Sequence, residues 1–383
     1  MVPGNLFALG VRIPNQDAEA TGRGNAFTAT ANNPSALYYN SAGITQLEGH
    51  HVQLGFHTIS VNSSYRAPNG NLSQTHWEVQ PVPQLYYVYS PKESDFSYGL
   101  GVYAPFGLGL EWPETTGFRT LIIEGRLLYS TVKPVIAWQV TPSLSIAGGP
   151  TLNYAQVLLR QGIFVPGDEF KFKGRDLDFG WSAALLWKPW EKISFGVNYQ
   201  SSTSMNFHGR SVASPYTPDE GTSARLPFPQ FVMGGVSYRP NDKWNFEVNV
   251  DWTDWDRVTT VNFNKPSGNV PFAFNWQSSF LYEIGATRQL ENGYFASVGY
   301  FFSQNSTSDA NFNPVVPDTN LHVGSLGLGR KGDKWSWAVT YQLITGPSRN
   351  VTTSISPSLI GESANGKYHF LNHAVNVSLT RTF

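Results

Sequence analysis

The sequence contains no cysteine and few charged residues. With no cysteine among 383 residues, no disulfide can hold the fold together, although this absence neither requires nor excludes an oxidising compartment. Charged residues make up 14% of the chain, against roughly a quarter in soluble globular proteins. The low charge argues against a soluble β-sandwich or propeller, because such folds need a more charged surface for solubility.

Three further absences narrow the class of protein. No apolar run reaches about 18 residues and the mean hydropathy is −0.26, which excludes helical membrane spans. The net charge is −1 and no Lys/Arg cluster exceeds two residues, so nucleic acid is not an expected partner. Residues 1–10 lack a basic region and a sustained apolar core, so we expect no signal peptide; an exported protein would then have a processed or re-engineered start.

Aromatic residues and alternating segments are abundant instead. Aromatics reach 14% of the chain. In the final segment, residues 367–383, Leu371, Val375, Val377, Leu379 and Phe383 fall on odd positions, and Asn372, Asn376, Ser378, Thr380 and Thr382 fall on even ones. Ala374 is neutral, and the odd positions His373 and Arg381 break the pattern. Residues 193–200, 245–252 and 335–343 alternate in the same way. Because successive side chains of a strand point to opposite faces, each segment predicts a strand with one apolar and one polar face.

We predict an all-β fold with fourteen strands after residue 47. Their approximate bounds are 50–65, 75–90, 95–105, 118–139, 143–164, 170–188, 192–209, 225–239, 243–263, 274–290, 293–306, 320–331, 334–346 and 367–383. Short turn-forming connections at 188–191, 239–242 and 331–333 alternate with longer polar stretches at 209–224, 264–273, 305–319 and 347–366. Short turns at one end and long loops at the other are typical of outer-membrane β-barrels.

The first 47 residues differ from the rest. They carry small residues and glycines, show no strand alternation, and contain one short helical segment near 33–40. An even strand number places both ends of the barrel on the short-turn side, so this segment must hang there or enter the lumen. The predicted organisation is an antiparallel transmembrane β-barrel of residues 48–383 with an N-terminal plug, residues 1–47, inside it.

Glycine and proline are concentrated in the third predicted strand and just after it. Gly99, Gly101, Pro105, Gly107 and Gly109 fall within eleven residues. Proline cannot donate to a β-ladder and glycine weakens a strand, so we expect strand pairing to fail locally here. Two interpretations stay open, an ordinary bend at the barrel rim and a gap in the wall.

Four motifs occur in a fixed order along the chain. They are Gly22-Arg23-Gly24-Asn25-Ala26 with the following Ala31 to Gly43 segment, Tyr103-Ala104-Pro105-Phe106-Gly107-Leu108, Asp251-Trp252-Thr253-Asp254-Trp255 and Val316-Pro317-Asp318-Thr319-Asn320. Together they resemble the long-chain fatty-acid transporter (FadL) family of outer-membrane proteins, including its aromatic-hydrocarbon uptake relatives, over nearly the whole chain. Two departures are that Ser41 replaces the proline of the family's N-P-A motif and that the region after Pro105 is short.

The resemblance implies a passive channel for hydrophobic small molecules, either long-chain fatty acids or hydrocarbons and aromatics, with a luminal plug and lateral exit at a kinked third strand. The implied plug residues are Gly22, Arg23, Gly24, Asn40, Ser41, Ala42 and Gly43, and the implied lateral gate is Gly99, Gly101 and Pro105. Leu6 and Phe7 are large apolar residues at a terminus with no strand to join. We expect them to contact the ligand or to pack against the wall.

Individual charged and catalytic residue types add little to this prediction. Arg23 is expected to pair with a luminal carboxylate and anchor the plug, with attraction of a ligand carboxylate as the alternative. Arg119 and Arg126 are expected to be solvated rim charges. Asp251, Asp254 and Asp256 lack the loop glycine of a calcium site, and the eight histidines show no zinc-binding spacing.

Two other functions remain as alternatives, a general diffusion porin for polar solutes and, more distantly, a barrel hydrolase. Enzymatic activity is not expected, because His373 and Ser378 lie on opposite faces of the last strand and no G-x-S-x-G motif occurs. We expect no cofactor and no metal. The expected partners are a hydrophobic ligand and the lipid and lipopolysaccharide of a bacterial outer membrane, and the protein is expected to be a monomer.

Overall fold

The computed structural model describes residues 11–355, 358 and 360–383. It is a closed antiparallel barrel of fourteen strands, which confirms the predicted fold class. The wall closes at the first strand segment, where Leu54 lies opposite both Leu85 of the next wall strand and Leu379 of the last one. The segments are β1 (Gly49–Val61), β2 (Ser63–Arg66), β3 (Leu72–Gln74), β4 (Glu78–Ser90), β5 (Phe96–Tyr103), β6 (Gly107–Glu111), β7 (Glu124–Thr141), β8 (Leu144–Gln161), β9 (Glu169–Trp190), β10 (Ile193–Gln200), β11 (Thr203–Ser214), β12 (Thr217–Phe228), β13 (Phe231–Asn241), β14 (Trp244–Thr253), β15 (Thr260–Asn264), β16 (Val270–Ala273), β17 (Ser279–Gln289), β18 (Tyr294–Ser303), β19 (Leu321–Arg330), β20 (Trp335–Thr345), β21 (Arg349–Val351) and β22 (Gly366–Thr382).

Helices are few and short. Among the described residues they are α1 (Ala18–Gly22), α2 (Ala36–Tyr39) and 3₁₀ turns at Ser41–Gln46, Trp255–Arg257 and Glu291–Gly293. Asp17 caps α1, because its carboxylate accepts a 3.0 Å hydrogen bond from the Ala20 amide. In the part of the chain that the structure describes, no helix is long and apolar enough to cross a membrane.

Several predicted boundaries were wrong at the long-loop end. The strand predicted from residue 118 begins at Glu124, because Phe118 and Ile122 are buried in the preceding connection instead. The polar stretch 209–224 is mostly a hairpin in which β11 pairs with β12. The stretch 264–273 contains the last residue of β15 and all of β16. Polar residues can continue a ladder above the apolar band, so polarity alone did not mark the strand ends.

The wall is apolar outside and polar inside. Along β22, Val375, Val377 and Leu379 are 41–43% exposed, whereas the alternating Asn376 and Ser378 are buried. The exposed tryptophans near the short-turn end are Trp138, Trp187, Trp190, Trp335 and Trp337. An apolar outer band edged by aromatic rings is the surface that a membrane β-barrel presents to lipid.

The N-terminal segment, residues 11–47, lies inside the wall. Nearly all of it is buried, and it contacts wall strands on several sides of the barrel. Thr340 on β20 donates a 2.6 Å hydrogen bond to the Ala18 carbonyl, and the Asn40 amide donates one of 2.9 Å to the Leu185 carbonyl on β9. Since β20 and β9 lie far apart around the wall, the segment spans the lumen.

Candidate functional site beside an interrupted strand

The third wall strand is interrupted between β5 and β6. β5 pairs with β4 and with β7, but within the described residues β6 pairs with β7 alone. The last β4–β5 pair is Leu85 with Val102, and the chain then leaves the ladder at 104–106. The wall therefore has a break between residues 81–84 of β4 and residues 104–106, which we call the wall break.

Two prolines lie on the β4 edge of the wall break. Pro81 and Pro83 are exposed on the outer face, while the alternating Val82 and Gln84 are buried towards the lumen. Proline is found in sheets mainly at edges, because it lacks the amide that a ladder needs. This second side of the break was not predicted, although the Pro-Val-Pro pattern within a strand is a signal for it in the sequence.

Side chains cross above the wall break at the long-loop end. Arg126 on β7 donates bonds of 2.6 and 2.9 Å to the Glu78 carboxylate on β4, and the Gln80 amide donates to the Gly109 carbonyl on β6. These contacts connect β4 to β6 and β7 without a backbone ladder. They set the upper limit of the break, and the Leu85–Val102 pair sets its lower limit.

The three predicted gate residues do not lie together. Gly99 and Gly101 are in the regularly paired part of β5, where an added Cβ would come within 2.4 and 3.4 Å, respectively, of Leu37 in the N-terminal segment. Because these two glycines have no side chain, α2 can pack directly against the wall at β5. Pro105 alone lies in the interruption.

The N-terminal segment covers the wall break from the lumen. The Ile13 amide donates a 2.8 Å bond to the Pro105 carbonyl, and the Gly107 amide donates one of 2.9 Å to the Val11 carbonyl. On the other edge, Gln84 donates to the Asn15 carbonyl at 3.0 Å. The segment thus bonds to both edges of the break without a charged contact.

An apolar cavity of about 80 Å³ lies beside the contact between the N-terminal segment and β6. It is lined by both β7 and the loop between β18 and β19, and Arg126 is the charged member of its lining. That guanidinium is already bound to Glu78 and Glu124. The lining residues include Val11, Leu108, Leu127, Phe228, Trp255 and Val316. Few convergent polar groups and many aromatic walls are typical of sites for apolar ligands.

A second cavity of about 430 Å³ lies at the long-loop end. Its walls are mainly apolar and include Leu121, Ile163 and Phe272. Lys265 at its edge lies 3.2 Å from the Glu220 carboxylate, so its charge is paired. The short connection after Pro105 therefore still contributes to an apolar recess, through Thr120 and Leu121.

The predicted plug residues lie where the N-terminal segment meets backbone. Gly24 has a φ of +65°, and an added Cβ would lie 2.7 Å from the Tyr300 backbone. A Cβ on Gly22 would meet Gly327 at 3.0 Å, and one on Gly43 would meet the Ala31 carbonyl at 2.1 Å. Only glycine permits such close approach.

The Asn40-Ser41-Ala42 turn is built without the family proline. The Asn40 side chain donates to the Thr28 carbonyl at 2.8 Å and accepts from the Ala42 amide at 3.1 Å, which caps the 3₁₀ turn that follows. Ser41 donates to the Leu37 carbonyl at 3.3 Å. These bonds fix the turn that proline would otherwise restrict.

Charged residues of the segment face wall carboxylates. Arg12 lies 2.5 Å from Asp251 on β14, with both side chains fully buried. Arg23 lies 3.7 Å from Glu247 and donates a 3.0 Å bond to Asn245. This is the geometry that the anchoring interpretation of Arg23 requires.

Other predicted residues are placed as follows. Arg119 is buried and bound to Asp168 at 3.0 Å, so the expectation of a solvated rim charge was wrong for it. Asp254 pairs with Arg257, and in the described ranges no cluster of three metal-ligating side chains occurs. Leu6 and Phe7 lie outside the described residues, and their predicted ligand contact stays a prediction.

Comparison with known proteins identifies the architecture. Solved structures with this fold include a FadL homologue of Pseudomonas aeruginosa (TM-score 0.89, 16% identity, covering 98% of this chain and 100% of that one) and the Pseudomonas putida toluene transporter TodX (TM-score 0.74, 14% identity, 99% of both chains). A long-chain fatty acid transport protein of Shigella flexneri is 20% identical over 80% of this chain and 81% of its own length.

The family assignment rests on the whole chain. The model of the family described as outer membrane protein transport protein (OMPP1/FadL/TodX) matches residues 1–383. The family and the neighbours named above are transport channels and not enzymes, as the sequence predicted. The fold and the family place the protein in the outer membrane. The chain belongs to the outer membrane protein transport protein (OMPP1/FadL/TodX) family.

Proposed function

We propose that the protein is a passive channel through which hydrophobic small molecules enter the cell and leave sideways through the wall break. The observation that carries this proposal is the missing ladder between β4 and β6 next to an apolar cavity. A molecule in that cavity is separated from the apolar exterior by the N-terminal segment rather than by a continuous sheet. The recess at the long-loop end would receive the molecule first.

Residues 1–47 act in this proposal as the plug of a barrel formed by residues 48–383. The described part of the segment is buried and bound to several wall strands. Near the wall break it is held by backbone and amide bonds of Val11, Ile13 and Asn15. Neutral bonds of this kind are worth about 1 kcal/mol each, so a local movement there is energetically accessible.

Lateral exit agrees with the chemistry of the two faces of the wall. An axial path to the periplasm would pass through polar luminal groups and water, at a cost of about 0.8 kcal/mol per exposed methylene. A lateral path leads from apolar cavity to the apolar outer band. Binding a greasy molecule and releasing it into lipid keeps its surface out of water throughout.

The proposed ligand class follows from the chemistry of the cavity and from the names of two related transporters. The cavity walls suit a saturated chain or an aromatic ring, and the two related transporters are named for long-chain fatty acids and for toluene. Both classes need an apolar pocket with few polar groups.

The two alternatives fit the geometry less well. A general porin needs an open polar lumen, but here residues 11–47 fill it. A hydrolase would need a Ser–His pair; His373 faces outward and bonds Tyr341 at 2.7 Å, whereas Ser378 is buried towards the lumen.

The proposal is tested by locking the segment to the wall. In a chain without native cysteine, Ile13→Cys with Gly107→Cys places one thiol on the N-terminal segment and one on β6. The two positions are neighbours, because an added Gly107 Cβ would lie 2.8 Å from Ile13 Cδ1. Oxidation is expected to reduce uptake of labelled dodecanoate and toluene at least about tenfold, because the N-terminal segment can no longer move away from the wall break. The purified oxidised protein should still bind both compounds. The same protein after reduction is the matched control.

Mass spectrometry establishes that the disulfide has formed, and each single-cysteine variant controls for the substitutions. If the oxidised double variant takes up both compounds at the rate of its reduced form, lateral exit beside β5 and β6 is wrong. An axial route past the rest of the plug would then have to replace it.

A further inference from the structure

Three basic side chains lie in a row on the outer face of β9. Lys171, Lys173 and Arg175 occupy alternate positions of the strand; Lys173 and Arg175 are exposed and Lys171 is half-buried. The residues between them on the inner face include the buried Phe172. Because successive side chains of a strand point to opposite faces, all three cations face away from the lumen. We call these three residues the basic row.

The basic row continues directly into the lipid-facing surface. The next outward side chains of β9 are Leu177, Phe179 and Trp181, which are 47–69% exposed. Lys173 precedes Leu177 by four residues, which is about 13 Å along a strand, and the tilt of a barrel strand reduces this to a height of about 10 Å. The row therefore lies at the long-loop end, in the polar layer that borders the hydrocarbon.

The neighbouring strands place further cations opposite the basic row. In the ladder, Arg160 on β8 is opposite Lys171, and Arg210 on β11 is opposite Lys173. Like charges that lie directly opposite each other in a sheet are destabilising. In the part of the chain that the structure describes, the row makes no ion pair and its side chains have no hydrogen-bond partner.

The carboxylates of this region are bound to other groups. Glu169 accepts a 2.9 Å hydrogen bond from Arg160, and Asp219 accepts one of 2.7 Å from Arg210. Asp176 accepts a 2.6 Å bond from a backbone amide of β11. The chain itself therefore does not neutralise the basic row, and an anion bound from outside would remove the repulsion between the facing cations.

Two arginines at the short-turn end show how an outward cation is held without a carboxylate. Arg288 lies over the Trp244 ring at 5.4 Å, and Arg330 lies over the Tyr294 ring at 5.5 Å. Such stacking stabilises a cation at a membrane interface. Among the described residues no aromatic ring holds the basic row in this way, so its donors are available to a ligand.

We propose that the basic row binds the phosphate groups of lipopolysaccharide in the outer leaflet of the outer membrane. The long loops of an outer-membrane barrel face the outside of the cell, which puts the row beside that leaflet. The three side chains donate charge-assisted hydrogen bonds to the phosphate oxygens, and the acyl chains of the lipid lie along Leu177, Phe179 and Trp181. The row faces lipid and not the lumen, so this inference does not depend on the proposed uptake.

The test measures how tightly the full chain in detergent binds two lipids with the same acyl chains, diphosphorylated lipid A and lipid A without its phosphates. Native mass spectrometry of a titration gives both affinities, and wild type is expected to bind the phosphorylated form at least about tenfold more tightly. The triple variant Lys171→Gln, Lys173→Gln, Arg175→Gln should bind the phosphorylated form about a hundredfold more weakly, roughly fivefold for each cation, and the dephosphorylated form unchanged.

A matched control removes three exposed lysines at the short-turn end, by Lys192→Gln, Lys243→Gln and Lys334→Gln. It lowers the net charge by the same amount and should change neither affinity. An equal loss in this control, or an unchanged affinity in the row variant, overturns the site. If phosphatidylglycerol or inorganic phosphate displaces phosphorylated lipid A from wild type at equal concentration, the assignment to lipopolysaccharide is wrong.

Heat-modifiable mobility on gels verifies that each variant forms the barrel. If the triple variant does not fold, Lys173→Gln alone should weaken binding of phosphorylated lipid A about fivefold, whereas Lys243→Gln alone should not change it. Equal affinities in these two single variants would also overturn the site. Uptake of toluene by the folded row variant should equal that of wild type, which separates this site from the proposed channel function.

Discussion

The N-terminal segment meets the wall in different ways on two sides of the barrel. On the side formed by β14 and β17–β19, wall pairing is continuous from Trp244–Arg288 to Thr253–Ser279, and the segment is held by buried charges and by glycines in backbone contact. On the β4–β6 side, wall pairing stops and the segment makes only uncharged bonds. Under the proposed function, the first side anchors the N-terminal segment and the second side allows it to move.

The largest expected effect lies on the anchored side, at the Arg12–Asp251 pair. Asp251→Asn leaves the buried Arg12 charge without a counter-ion, and should lower the free energy of unfolding by about 3–5 kcal/mol. Asp219→Asn breaks the exposed Arg210–Asp219 pair and should cost at most about 1 kcal/mol. Urea unfolding in lipid measures both; equal losses would contradict a buried anchor.

A smaller effect is expected in the loop between β18 and β19, which covers the cavity on the β4–β6 side. Burial raises the pKa of Asp318 from 3.8 to about 6, against bonds from the Ser306 amide and hydroxyl. The folded loop therefore holds the proton between about pH 4 and 6, and its stability falls by at most roughly 3 kcal/mol as pH rises through that range.

Hydrogen exchange of the 304–320 region, corrected for intrinsic rates, measures this loss. Asp318→Asn keeps an acceptor for Ser306 but cannot ionise, so its loop should be equally stable at pH 4.5 and pH 7. The anchored side should show no matching change near Gly24. A wild-type loop whose protection rises with pH would show that the sign is wrong.

The smallest expected effect separates close backbone contact from backbone conformation. Gly24→Val and Gly70→Val both place a side chain at positive φ, but only Gly24 lies against backbone, that of Tyr300. The Gly24 variant should lose about 1–3 kcal/mol more of its free energy of unfolding than the Gly70 variant, and it should conduct ions because the N-terminal segment is displaced. Thermal unfolding and single-channel recording measure these results. Equal stability and closed channels in both variants would contradict close packing of Gly24 against the Tyr300 backbone.

Much of the fold could be predicted from the sequence because its signals are local. The alternation in segments such as 193–200 and 367–383 predicts which side chains face lipid. The length of each connection predicts the end of the barrel at which that connection lies. The strand count and the order of the motifs followed from these patterns. The ends of polar strands, such as β11 and β12, were misplaced, because polarity does not prevent pairing above the lipid band. The strand predicted from residue 118 was also misplaced, because it begins at Glu124.

The site was only partly predictable. Pro105 marked one edge of the wall break, but the opposite edge at Pro81 and Pro83 became visible only once β4 was placed beside β6. Gly99 and Gly101 look like strand breakers in the sequence, yet they lie in a regular ladder and admit Leu37.

The sequence by itself determined that the wall is apolar outside and polar inside, because alternation with a period of two is a local pattern that does not depend on distant residues. Which cations find partners was decided only by the tertiary structure. Arg12 and Asp251 are 239 residues apart in the sequence, and their side chains meet inside the barrel. Charge pairing depends on long-range proximity, and that proximity exists only after the barrel has closed around its N-terminal segment.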